Sequence, residues 1–165
     1  MKKGKPFSET YLGQLREKVG SRLLMVPGVR IVVENDSSEI LLQRRRDIAI
    51  WGLPGGGCEE GESVEFAFAR ELREETGLVA TEYRAFGISS HPEIETFTYP
   101  NGHVIHSYAV LFHVTKWTGE PDLSNDESQA LRFFAPGELP EMLPNERQSL
   151  ELFFAYRAKR VFQLA

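Results

Sequence analysis

The segment GGGCEEGESVEFAFARELREETGLV, residues 55–79, crowds glutamates between glycines. Ser63 suits an N-cap for a helix starting near Val64, and Gly77 suits its terminator. At about 100° per residue, Glu71, Glu74 and Glu75 fall within one sector of roughly 100°. Phe68, Ala69 and Leu72 point elsewhere, toward a core. Three unpaired carboxylates on one side of a helix repel and raise one another's pKa. A divalent cation removes that conflict, and hard cations such as Mg²⁺ take oxygen ligands. Mg²⁺ often binds through carboxylates together with a substrate's phosphates, where it polarises a phosphoryl oxygen and acidifies a bound water. The chemistry this constellation suits is hydrolysis of a phosphoanhydride. Gly55, Gly56 and Gly57 fit it, because a backbone without side chains can approach a metal or phosphate closely. The glycines lack the Gly-Lys-Ser/Thr of a P-loop. On composition alone, a Ser-capped helix with several glutamates reads as a solvated face; the spacing is what tells the two apart.

That spacing is Gly56, five residues, Glu62, seven residues, Arg70-Glu71-Leu72, one residue, Glu74-Glu75, one residue, Gly77-Leu78. It resembles a complete Nudix box, with Leu72 and Leu78 at the bulky aliphatic places and WGLPGG as the usual lead-in. The resemblance implies a single-domain α/β/α sandwich over residues 1–165, a mixed sheet flanked by helices. It also implies Mg²⁺- or Mn²⁺-dependent hydrolysis of the pyrophosphate linkage in a nucleoside diphosphate derivative. By position, Glu71, Glu74 and Glu75 resemble the metal-binding and catalytic carboxylates, with the carbonyl of Gly56 or Gly55 as a further ligand. Glu62 and Arg70 resemble the pair that braces loop against helix. The general base is either a box glutamate or a distant loop acid, for which Glu127 and Asp126 are the candidates.

Substrate contacts are less sharply marked. In QRRRD, alternation sends Arg44 and Arg46 to one face and Arg45 to the other. Arg44, with Arg46, is taken as the phosphate-binding choice, since arginine suits bidentate phosphate contacts. Phe97, Tyr99 and Phe134 could stack on a base, though such rings more often only pack. Trp51 reads as an anchor for the glycine loop. Pro92 lies where ADP-ribose-type relatives carry a proline, but a proline in a turn also has a plainer role. Nucleotide sugars, ADP-ribose, nucleoside triphosphates and dinucleoside polyphosphates all stay open.

The elements that must position these residues follow from local patterning. FSETYLGQLREKVG predicts a helix capped by Ser8 and ended by Gly20. RLLMVPGVRIVVE and EILLQRR, separated by NDSS, predict two strands paired as neighbours. RDIAIWGLPGGG reads as loop, EYRAFGISS as a strand, and the run from Glu95 to Trp117 as a long hairpin turning at Asn101-Gly102. ALRFFA predicts a short strand. PNERQSLELFFAYRAKR predicts a final helix capped by Asn145, with Gln148 in the capping-box place.

The chain has 165 residues, 41% hydrophobic and 26% charged, with a formal net charge of −5. That suits an ordinary soluble domain and disfavours nucleic-acid binding through a broad basic face. Cys58 is the only cysteine, so no intramolecular disulfide forms, and it reads as a passive loop thiol in a reducing, cytoplasmic setting. The four histidines show no zinc-type spacing. No run reaches the roughly 20 apolar residues of a membrane helix. A small-molecule nucleotide is the expected partner; a homodimer is left open, with no interface identified. The competing reading is a non-catalytic Nudix-fold nucleotide-binding regulatory module. Such proteins tend to lose box acids, and this chain keeps them all.

Overall fold

A computed structural model describes residues 6–46, 48–122 and 128–165. The elements run α1 (Tyr11–Val19), β1 (Leu24–Val33), β2 (Ile40–Arg45), β3 (Trp51–Gly52), β4 (Gly55–Gly57), α2 (Val64–Thr76), β5 (Val79–Ser89), α3 (Pro92–Glu95), β6 (Thr96–Thr98), β7 (Val104–Thr118), β8 (Ser128–Phe134), α4 (Pro144–Lys159) and β9 (Gln163–Leu164). The larger sheet has the order β4-β1-β7-β5-β9, with β6 also on β7, and is mixed: β1 and β7 run parallel, β5 and β7 antiparallel. A second sheet of three strands has the order β3-β2-β8.

The larger sheet lies between α2 and α4, and alternation along β1 shows how. Val29, Ile31 and Val33 pack with Phe68 and Leu72 of α2. Val32 packs with Leu150, Phe153 and Tyr156 of α4. Strand β7 divides likewise, Phe112 and Val114 toward α2 and Leu111 toward α4. Strands covered on both faces read as near-continuous apolar runs, as VRIVV and AVLFHV do. Among the described residues no helix is long and apolar enough to cross a membrane.

Several sequence expectations are corrected. Helix α1 is capped by Thr10, whose side chain accepts from Gly13 N, and Ser8 falls in a preceding 3₁₀ turn. Helix α4 starts two residues earlier than a cap at Asn145 implies, with Leu143 at the N-cap position and no side-chain cap from it. A proline at the first helical position already dispenses with one of the orphan N–H donors. Strands β1 and β2 do not pair as neighbours. Both edges of β1 are taken, by β4 and β7, and the chain leaves through a turn in which Asn35 Oδ1 accepts from Ser37 N and Glu39 N. The stretch read as loop contains β3 and β4; three glycines carry no side-chain alternation to betray a strand. The hairpin of β6 and β7 exists, but its turn is longer than two residues: Tyr99 N donates to His103 O, Gly102 N donates to Tyr99 O, and Gly102 takes a φ of 82°.

The ring of Phe68 stacks on Phe112 at 4.5 Å and lies 4.6 Å from Tyr83, with 1% exposure. Phe68→Ala is expected to lower unfolding free energy by about 3–5 kcal/mol, measured as a drop in the denaturant midpoint at unchanged slope.

Candidate active site

Helix α2 forms as its sequence dictates. Ser63 accepts from Phe66 N at its start, and Gly77 closes it in the left-handed conformation at φ 77°. Leu72 and Phe68 pull the helix onto the sheet and so place its acidic side along β4. Glu75, 7% exposed, accepts from Gly55 N at 2.7 Å. The carboxylate of Glu71 lies where a Cβ on residue 56 would stand, so any side chain there would collide with it. The side chain of Glu74 is 58% exposed.

Arg70 joins these parts. Its Nε and Nη2 donate to the two oxygens of Glu62 at 2.8 and 2.9 Å, its Nη2 also to Gly57 O at 3.0 Å, and its Nη1 to Glu71 at 2.7 Å. Glu62 also accepts from Glu59 N. The bond to Glu62 is the main reason Arg70 is held well above the usual guanidinium pKa, and the same bond lowers the pKa of Glu62. Burial and then Glu62 push the Cys58 thiol up. It therefore lacks the thiolate character of a nucleophile.

A cavity of about 160 Å³ opens beside the glycine strand. Gly55, Gly56 and Gly57 form one side; Phe97, Tyr99, Leu143, Asn145 and Arg45 are among the other walls. The rings of Phe97 and Tyr99 meet edge to face at 4.9 Å. Two of the three aromatic candidates thus line the cavity. Phe134 instead packs edge-on against Trp51 at 4.9 Å, and Trp51 also bridges to Met142, which suits an anchor.

The arginines fall the other way from the sequence choice. Arg45 lines the cavity, whereas Arg44 is exposed and donates to Ala49 O, and Arg46, in the turn after β2, donates to Ser128 O. The ladder is irregular between Arg44 and Arg45, and Arg46 lies past the strand, so simple alternation does not say which of three identical residues meets the cavity. The expectations for Glu127 and Asp126 lie outside the described residues. Sequence reasoning also missed Arg30, Glu146 and Leu12, which line the cavity. An arginine inside the apolar run VRIVV was the available signal, since a buried charge needs a partner. Asn145, expected as a cap, is a cavity wall.

The donor chemistry suits a hard divalent cation, because carboxylates and glycine carbonyls lie along one short strand. Among the described residues, no three His, Cys, Asp or Glu side chains are gathered into a metal-holding group.

A NUDIX domain model matches residues 24–154. The chain is 32% identical over 127 residues to a putative 8-oxo-dGTP diphosphatase of Bacillus subtilis, covering 76% of this chain and 78% of that protein. It is 32% identical over 143 residues to an ADP-ribose pyrophosphatase of Methanocaldococcus jannaschii, covering 84% and 79%. Among solved structures, a MutT NUDIX hydrolase from Burkholderia pseudomallei matches with a TM-score of 0.67 at 29% identity, covering 78% of this chain and 98% of that one.

A group whose folded pKa is lowered adds stability above its unfolded value and loses it as pH falls through the folded value. For Glu62 the unfolded value is about 4.3. Denaturant melts of wild type and Glu62→Gln are expected to differ most near neutral pH, with wild type the more stable. The gap should close as pH falls below about 4; a gap that widens in acid would refute the assignment.

Proposed function

The chain belongs to the Nudix hydrolases, enzymes that cleave phosphorus-containing acid anhydrides, and we propose that its substrate is a nucleoside triphosphate, cut by water to a nucleoside monophosphate and pyrophosphate. The observation that carries this reading is the small aromatic cavity against the glycine strand. Pockets for drug-sized ligands run about 300–1,000 Å³. A cavity of about 160 Å³ suits one base ring system, with the phosphates outside it along Gly55–Gly57. ADP-ribose carries a second sugar that would lie beyond the phosphates, outside this cavity and its aromatic wall. The printed name of the Bacillus relative, a diphosphatase of 8-oxo-dGTP, points the same way.

Nudix hydrolases generally use divalent metal ions such as Mg²⁺. Here Glu71, Glu74, Glu75 and the Gly56 carbonyl would hold the ion, Mn²⁺ serving as substitute. When bound, it would supply charge neutralisation at the phosphates and a more acidic water. The chain's own residues do the rest. Arg70 holds Glu71 against the glycines, and Gly55 N holds Glu75. Phe97 and Tyr99 offer an apolar wall to the base, and Arg45 offers a guanidinium to the phosphates. A carboxylate within reach of the attacking water takes its proton; Glu74, the most exposed of the three, can do so without breaking a contact that holds the loop.

Purified protein with Mg²⁺ or Mn²⁺ should release mononucleotide and pyrophosphate from at least one canonical or oxidised nucleoside triphosphate, read by chromatography. A panel including ADP-ribose, nucleotide sugars and dinucleoside polyphosphates tests the choice; turnover confined to ADP-ribose or nucleotide sugars would reject the triphosphate reading. Glu74→Gln and Glu75→Gln are each expected to cost about 10² or more in kcat while the circular dichroism melt stays cooperative. Arg45→Ala should raise KM roughly tenfold, the loss of a charge-assisted contact. Full activity in both glutamate variants would dismiss the proposed roles.

A further inference from the structure

Arg30 lies in β1, and alternation turns its side chain to the α4 side, into the floor of the cavity, where it is 7% exposed. Its guanidinium makes a bidentate pair with Glu95, Nη1 to Oε1 at 2.9 Å and Nη2 to Oε2 at 2.8 Å. Nη1 also donates to Ser149 Oγ at 2.6 Å and to Asn145 O at 3.3 Å. Nε lies 3.7 Å from Glu146 Oε1, and the other oxygen of Glu146 accepts from Leu53 N. Ser89 Oγ donates to Glu95.

Each partner belongs to a different wall. Glu95 ends α3 and stands two residues before Phe97. Asn145 and Ser149 lie in the opening turns of α4. Leu53 stands two residues before Gly55, and Arg30 is itself the backbone partner of Gly55 across the β1–β4 ladder. One buried side chain therefore joins the aromatic wall, the helix wall and the glycine strand.

Stability alone does not explain this arrangement. One guanidinium faces two carboxylates, and stripping such groups of water costs several kcal/mol per ion. Burial works against the charge on Arg30, but Glu146 and Glu95 together more than offset it. Apolar residues of similar volume would fill the space without that cost. What they would not do is fix three segments at hydrogen-bonding distances from one planar group.

We infer that Arg30, clamped by Glu95, is a positioning residue that fixes the Phe97–Tyr99 wall relative to Gly55–Gly57 and so sets the separation between the base cavity and the phosphate site. The inference rests on the proposed nucleotide reading for its functional half and on the buried contacts alone for its structural half. It places base selectivity partly in a buried cavity-floor residue that acts through the walls it ties together.

Two variants test it. Glu95→Gln keeps the volume and removes the charge opposite Arg30; Ser149→Ala removes one of the contacts to α4, leaving those to Asn145 and Glu146, and serves if the first fails to fold. In the free protein, hydrogen exchange of amides 96–99 is expected to quicken in Glu95→Gln while α2 amides keep their protection. With the preferred triphosphate, KM should rise roughly tenfold with kcat held within about twofold, the signature of lost uniform binding. The preference between purine and pyrimidine triphosphates should narrow as well. Unchanged exchange at 96–99 overturns the inference. So does a lower melting temperature with KM and base preference unmoved, or a fall confined to kcat. If wild type turns over no nucleotide, the function reading fails, and the exchange result still decides whether Arg30 positions the wall.

Discussion

Everything at the box side of the site depends on where the guanidinium of Arg70 sits. Three segments converge on it: the loop through Glu62, the glycine strand through Gly57 O, and the helix through Glu71. Without a cation there, three carboxylates facing one strand would drive the loop and helix apart. Arginine is the side chain that can do this, since its planar fork gives several donors in fixed directions and stays charged at any physiological pH. Lysine could neutralise the charge, but its single nitrogen could not make the forked contact to both Glu62 oxygens together with the bonds to Gly57 O and Glu71.

The glycines are the other half of the same constraint. Residue 56 cannot carry a side chain, because the Glu71 carboxylate occupies its place. Strand β4 also lies close to β1, with a Cβ on Gly28 only 2.7 Å from Gly56 O. The close approach of strand to strand and of carboxylate to strand brings backbone carbonyls and acidic oxygens into one small volume. That is the oxygen-donor composition that suits a hard cation, and it is the cation that would draw a polyphosphate there.

How far this was legible varied with the kind of signal. Helix α2 was readable to the residue, because a serine cap, an apolar stripe and a glycine stop all agree on its limits. The bracing pair was readable because its spacing is fixed by the helix. The sheet assignment of β1 and β2 was not, since neither strand's sequence says which neighbour takes its edges, and β7, which takes one of them, arrives some seventy residues later. That Arg45 and not Arg44 lines the cavity was not legible for a related reason: alternation gives two faces but does not say which one looks inward. Asn145 was read locally as a cap. Pro144 already opens that helix, which leaves the asparagine to serve as a wall.

Two arginines, the half-buried Arg70 and the buried Arg30, divide between them the work of holding the site. Arg70 joins residues of one contiguous stretch, 57–71, so its geometry is local and survives wherever that stretch is intact. Arg30 joins β1, α3, α4 and the segment before β4, which meet only in the folded protein. The first arrangement fixes the acidic side of the helix against the glycine strand. The second depends on what α3, β6 and the start of α4 contribute, and these are the segments that carry Phe97, Tyr99 and Asn145 to the cavity. Chemistry can thus remain constant while the shape of the cavity changes, because the charges that hold the two halves in place have separate partners and meet only along the glycine strand.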